Sequence, residues 1–109
     1  MSIKISNNLS KFSKKELDSF FKHAKRVYRN QAFTILANPK QQDIARILVI
    51  IPKKYGNAPA RNLIKRRLKS IFWEEQLYTK KNDIIFIVRP DAKKLSFQDL
   101  KNVCLKYIV

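Results

Sequence analysis

Two β-branched runs, residues 45–51 and 84–88, the first apolar without a break from Ile47 and the second throughout, stand on either side of one helix-length segment, residues 58–77. Runs that short and that rich in isoleucine and valine belong in a sheet, and a helix between them has to pack on that sheet to bury its apolar side. The first run contains Ile-Leu-Val-Ile-Ile without a polar break, which predicts an interior strand covered on both faces. A further β-like run, residues 31–37, precedes it across Asn38-Pro39-Lys40-Gln41-Gln42-Asp43, a polar Asn-Pro turn, so an antiparallel pair of these two runs is the simplest arrangement.

The helices announce themselves by their caps. Ser13 and Glu16 have capping-box spacing, and Leu17, Phe20, Phe21, Ala24 and Val27 recur at three- and four-residue intervals, predicting a first helix over residues 14–26. Asn57 can cap the long helix, with Pro59 in its first turn where a missing N–H costs nothing, and Gly56 just before it marks a left-handed or close-approach backbone. Ser96 with Asp99 opens a final helix whose inner face is Leu100, Val103, Cys104 and Tyr107. The residue pattern therefore reads helix, strands, helix, strand, helix. With 109 residues, one α+β domain is what the chain can enclose, residues 1–10 forming a loosely ordered arm.

Charge narrows the partner. The chain carries 24 Lys and Arg against 8 Asp and Glu, a formal +16 that calls for an anionic partner. Between Ile44 and Trp73 lie Arg46, Lys53, Lys54, Arg61, Lys65, Arg66, Arg67 and Lys69 with no acidic residue, and the acid-free stretch from Ser19 to Gln42 adds Lys22, Lys25, Arg26, Arg29 and Lys40. At about 100° per residue, Arg61, Lys65, Lys69, Asn62 and Arg66 share one arc of the long helix, while Ile64, Leu68, Ile71 and Phe72 share another. An aliphatic stripe beside a cationic ridge is the shape that lies along a phosphate backbone, arginine supplying a planar fork and lysine a mobile charge. The glutamates that solubilising helices interleave at i±4 are missing before Glu74. Charge pattern alone leaves RNA and DNA both open.

Other chemistries have weaker support. The acids are dispersed apart from Glu74-Glu75 and the pair Glu16 and Asp18, a poor starting point for a metal-dependent nuclease. His23 has no ligand-spaced partner, and Cys104, the single cysteine, sits among apolar neighbours as a core residue. Neither a membrane span nor a secretion signal is read in the sequence, and a reducing cytoplasm fits.

The segment Lys53-Lys54-Tyr55-Gly56-Asn57-Ala58-Pro59-Ala60-Arg61-Asn62-Leu63-Ile64-Lys65-Arg66-Arg67-Leu68-Lys69 resembles the signature of the bacterial ribonuclease P protein family: a Lys-Lys pair closing a strand, a Gly-Asn-Ala turn, then Arg-Asn-x-Ile-Lys-Arg on a helix. The Phe-Phe-Lys-His stretch of the first helix, the strand ending at Arg89 and the closing amphipathic helix extend the likeness from Leu9 to Ile108. The resemblance implies an α/β sandwich of order α-β-β-β-α-β-α with a four-stranded mixed sheet, like that of a small-subunit ribosomal protein, with a left-handed βαβ crossover through the long helix. It implies a subunit of an endoribonuclease that removes the 5′ leader of precursor tRNA, with ribonuclease P RNA and precursor tRNA as partners. Magnesium and catalysis would belong to the RNA subunit, with no protein catalytic residue, small-molecule substrate or membrane. Lys53, Lys54, Asn57, Arg61, Asn62, Lys65, Arg66, Arg67 and Lys69 would face the catalytic RNA, and Phe21, Lys22 and Phe33 the leader, in a cleft between the first helix and the sheet. Two positions depart from the family's pattern: Leu63 stands where a third arginine is usual, and Leu17 where an aromatic is commonest. A ribosomal protein would share size, charge and fold, and only the Gly-Asn-Ala and Arg-Asn-x-Ile-Lys-Arg elements discriminate. Helix-turn-helix DNA binding fits less well, because β-rich sequence precedes the basic helix.

Overall fold

The computed structural model describes residues 13–108, so the expected arm at residues 1–10 lies outside the described residues. Helix α1, Lys14–His23, begins on the expected capping box: Ser13 Oγ accepts from the Glu16 N–H at 3.1 Å and Glu16 Oε1 accepts from the Ser13 N–H at 3.0 Å. It ends at His23, short of the expected end at residue 26. Lys25–Arg29 instead forms a strand, β1, which the pattern of residues did not reveal, because its backbone finds partners along β2, Phe33–Pro39. Asn30 makes the hairpin turn, its Oδ1 accepting from the N–H groups of Ala32 at 2.8 Å and Phe33 at 2.9 Å.

Strand β3, Ile47–Ile50, leads through a short 3-10 turn into helix α2, Ala58–Glu74; strand β4, Asn82–Val88, and helix α3, Phe97–Tyr107, complete the order α-β-β-β-α-β-α. The sheet runs β1-β2-β4-β3, with β4 antiparallel to β2 and parallel to β3. The expected β2–β3 pair is therefore not formed. Strand β4, apolar toward both sides, inserts between them, and β3 is an edge strand rather than an interior one, with Ile50 exposed. Its brevity limits the length of unpaired edge.

Register assigns the faces. Phe33, Ile35, Ala37, Ile47, Val49, Ile84, Phe86 and Val88 point to one side and join Ile64, Leu68, Ile71 and Phe72 of α2 and Leu100 and Cys104 of α3 in the main core. Burial pushes the Cys104 thiol up to about 12, which leaves it a small apolar filler. Thr34, Leu36, Leu48, Asp83, Ile85 and Ile87 point to the other side, where α1 lies. Phe20 and Ile85 are buried outside the main core.

Arg46, counted by sequence among the surface cations, is buried at 3% exposure and holds α1 to that face. Its Nη2 lies 2.7 Å from Glu16 Oε2 and 3.2 Å from Asp83 Oδ2, and its backbone N–H donates to Asp83 Oδ1 at 2.8 Å. The guanidinium, with the Ser13 N–H, holds the Glu16 carboxyl down to about 2 from an ordinary 4.5, whereas burial pushes the Asp83 carboxyl up against the same guanidinium. Removing Arg46 leaves the buried Asp83 carboxyl without its counter-charge and hydrogen-bond donor. Arg46→Ala is expected to lose about 3–5 kcal/mol in urea unfolding, and Arg46→Met less than Arg46→Ala because a methionine refills the space. For Glu16 the folded value is depressed, so its contribution is fully present above about pH 4.5 and disappears as pH falls towards 2. Thermal melts of the protein and its Glu16→Gln variant should differ at pH 6 and converge by pH 2.

Candidate nucleic-acid interface

The expected start of the basic helix is built as its sequence suggests. Asn57 Oδ1 accepts from the Ala60 N–H at 3.0 Å, so this residue is first of all a cap, with only its amide nitrogen left for a ligand. Gly56 is not left-handed; its φ of 161° is extended backbone. What it provides is close approach: a Cβ there would come within 3.2 Å of Ala60 Cβ and 3.3 Å of Lys93 Cε and Nζ. Lys93 was not a sequence candidate, since the 3-10 turn that carries it, Pro90–Lys94, meets the Lys53–Tyr55 turn only in three dimensions. Its ammonium lies 5.3 Å from the centroid of the Tyr55 ring and adds a third cation beside the exposed Lys53 and Lys54. Tyr55 itself, 6% exposed, plugs the core and is no stacking platform.

On α2 the structure brings Arg61, Asn62, Lys65, Arg66 and Lys69 together. Two grooves flank them: one of about 250 Å³ between the helix and β3, lined by Val49, Ile51, Arg61, Asn62 and Lys65, and one of about 590 Å³ lined by Pro59, Asn62, Lys65, Arg66 and Lys69. Asn62 and Lys65 border both, so they form the crest between the two grooves. Arg61 Nε is shielded from solvent and has no hydrogen-bond partner among the described residues, a donor that an acceptor entering the first groove would satisfy. Lys69 is half-buried; burial first, then the neighbouring Lys65, lowers its ammonium pKa, a strain that an approaching phosphate relieves. Arg67 lines neither groove; burial pushes the Tyr55 hydroxyl pKa up, and the Arg67 charge partly offsets that. Leu63 is exposed and leaves that arc uncharged.

The α1 side of the sheet forms a second cationic surface. Phe21 is half-exposed and edge-on to the buried Phe20 ring at 6.1 Å, with Lys22 exposed beside it, so both stand where a single strand could reach them. Phe33 does not. It points to the opposite side of the sheet, 1% exposed, against Phe86 at 5.3 Å and Tyr28 at 5.8 Å, because the strand's alternation turns Thr34, not Phe33, towards α1. Three arginines that were not named for this cleft face it. Arg26 pairs opposite Leu36 and Arg29 opposite Thr34, and the Arg89 guanidinium donates to Thr34 Oγ1 at 3.2 Å. Arg26 and Arg29 are three residues apart, which in a regular strand would set them on opposite faces; a bulge at Val27 returns both to the same one. That shift follows from pairing and has no signature in the local sequence.

The fold and these two surfaces define a small α+β protein of the nucleic-acid-binding class, with a cationic helical ridge on one side of the sheet and an aromatic and arginine-bearing surface on the other. The ribonuclease P family model matches residues 7–108. The ribonuclease P protein component of Petrotoga mobilis is 32% identical over 100 residues, covering 87% of this chain and 84% of the relative, and that of Halalkalibacterium halodurans is 35% identical over 83 residues, covering 71% and 70%. The solved RNase P protein of Staphylococcus aureus superposes with a TM-score of 0.78 at 24% identity, covering 92% of each chain, which shows the shared fold. The chain belongs to the ribonuclease P protein family, whose role is in processing the 5′ end of tRNA.

The two phenylalanines should separate by assay. Phe33→Ala is expected to cost about 3–5 kcal/mol in urea unfolding. Phe21→Ala should leave the melting temperature within about 2 °C while weakening binding of a single-stranded RNA by about 1–3 kcal/mol, the range for one stacked base.

Proposed function

We propose that the chain is the protein subunit of a bacterial ribonuclease P ribonucleoprotein, in which the α2 ridge faces the catalytic RNA and the α1 cleft takes the single-stranded 5′ leader of precursor tRNA. The observation that carries this reading is the separation of the two cationic surfaces. The ridge lies on α2, over the main-core side of the sheet, and the cleft on the α1 side, so one protein can hold a structured RNA and a single strand at once. On the ridge, Lys53, Lys54, Arg61, Asn62, Lys65, Arg66 and Lys69 contact backbone, and Arg67 reinforces the field from behind. In the cleft, Phe21 stacks on a leader base while Lys22, Arg26, Arg29 and Arg89 neutralise its phosphates.

Hydrolysis and the magnesium it needs are assigned to the RNA. Among the described residues no three His, Cys, Asp or Glu side chains gather where they could hold a metal ion, and Glu16 and Asp83 are both engaged by Arg46. The protein's contribution is binding energy: contacts to the leader raise affinity for precursor over product, and its net charge of +16 reduces the repulsion between two polyanions, which lowers the magnesium required. Among the described residues no helix is long and apolar enough to cross a membrane. The cytoplasm, where precursor tRNA is processed, is the compartment this reading entails.

The test is cleavage of a 5′-labelled precursor tRNA by a bacterial ribonuclease P RNA at low magnesium. Leader release is expected only with RNA and protein together; binding without stimulation would favour a ribosomal role, and cleavage by protein alone would overturn the mechanism. If the ridge neutralises about six phosphates, log affinity for the RNA should fall against log salt with a slope of order −4 to −5, and joint replacement of Arg61, Lys65 and Arg66 by alanine should flatten it by about two units.

A further inference from the structure

A third cationic feature lies at the corner of the sheet diagonally opposite the α2 ridge. There a cavity of about 370 Å³ opens between β1, the end of β2 and the start of β4. Lys25 pairs with Ala37 and Pro39 with Asn82, so the cavity is on the main-core side of the sheet, yet no residue of α2 or α3 lines it. The groove between α2 and β3 begins towards the other end of the sheet, at Val49 and Ile51, where Val49 pairs with Phe86. Three strand spacings and the stretch of β4 from Asn82 to Phe86 separate the two sites, on the order of 20 Å. The face that carries Arg26, Arg29 and Thr34 is on the reverse of the sheet.

The lining divides by chemistry. Val27, the residue displaced by the bulge, is 40% exposed and forms with Ala37 and Pro39 an apolar floor. Lys25, Lys81 and His23 stand round it, Asn82 supplies an amide, and no carboxylate lines the cavity; Asp83, next in sequence, is turned to the other face and held by Arg46. An exposed valine flanked by two ammonium groups is a surface that a planar, anionic ligand covers. His23 Nδ1 lies 3.1 Å from the Ser19 carbonyl oxygen, which can only accept, so Nδ1 carries the proton and Nε2 of the neutral ring is an acceptor. An acceptor beside two ammonium groups and an amide suits a ribose hydroxyl, two phosphates and a base edge, in that order. The volume lies in the range of small-ligand pockets and admits one nucleotide, not a duplex.

We propose that this corner pocket binds one unpaired nucleotide of a single-stranded RNA, its base on Val27, Ala37 and Pro39 and its flanking phosphates on Lys25 and Lys81. It is a contact additional to the ridge and the cleft, and it gives the protein a third point at which to hold an RNA strand. The two lysines are exposed and take no part in the core, so their reversal to glutamate leaves the fold intact.

The test is an amide NMR titration of the full chain with a single-stranded RNA tetranucleotide, without ribonuclease P RNA. Both starting proteins carry Phe21→Ala, Arg61→Ala, Lys65→Ala and Arg66→Ala to silence the other surfaces, and one carries Lys25→Glu and Lys81→Glu in addition. The expected result is saturable shifts at Val27, Ala37 and Asn82, with affinity roughly tenfold weaker in the protein carrying the two glutamates. No shift at these amides, or shifts of equal affinity in both proteins, would overturn the assignment. So would matching shifts from inorganic phosphate alone, since the base would then contribute nothing. Failure here leaves the cleavage assay untouched, because that assay reads the ridge and the cleft.

Discussion

Arg46 and Asp83 meet where β3 enters the sheet beside β4, and Glu16 reaches them from the first turn of α1. Three elements far apart in sequence share one guanidinium. The backbone N–H of Arg46 donates to Asp83 as well, so the pair also sets where the parallel β3–β4 ladder begins, with Ile47 opposite Ile84. Desolvating two charges in this way stabilises the fold only if the geometry is held, and the value of such a site is more in specifying an arrangement than in raw stability. Here it specifies which face α1 covers, and therefore that a cleft exists on that face at all.

The placement of charge follows from the same economy of polar groups. Of the cations in the acid-free central segment, one is used inside and the rest are kept out on α2 or the turn before it. The helix can hold five polar ridge residues in one arc because Ile64, Leu68, Ile71 and Phe72 anchor its other side in the core. Mutual repulsion along such a ridge is tolerable while the groups stay hydrated, and it is relieved when phosphates replace that water. The exposed edges are handled by different means: β3 is short, and β1 is charged and bulged. The bulge also aligns Arg26 with Arg29 on one face and leaves Val27 exposed on the other side.

Much of the molecule was legible from residues alone. Both capping boxes, the Asn57 cap, the aliphatic stripe of α2, the inner face of α3 and the cationic ridge are local features, because a helix's caps and its 3.6-residue period are written within a few positions of one another. The family resemblance added the strand count and order. What residues could not supply was partnership. Residues 25–27 continue a helical periodicity and yet form a strand; residues 47–51 look like an interior strand and yet lie at an edge; the resemblance sets Phe33 towards the leader and yet it is core. Each of these depends on which strand lies alongside, and on a one-residue alternation that a single bulge can invert.

By itself, the sequence determined the helices, the apolar content of the strands and the sign and crowding of the charge, since these rest on contacts within a turn or two of chain. The tertiary structure alone decided the position of β4 between β2 and β3, the burial of Arg46, the approach of Lys93 to Gly56 and the alignment of three arginines beside Thr34. Those outcomes come from backbone hydrogen bonds and charge pairs between residues tens of positions apart, whose energies exist only once the chain has closed on itself.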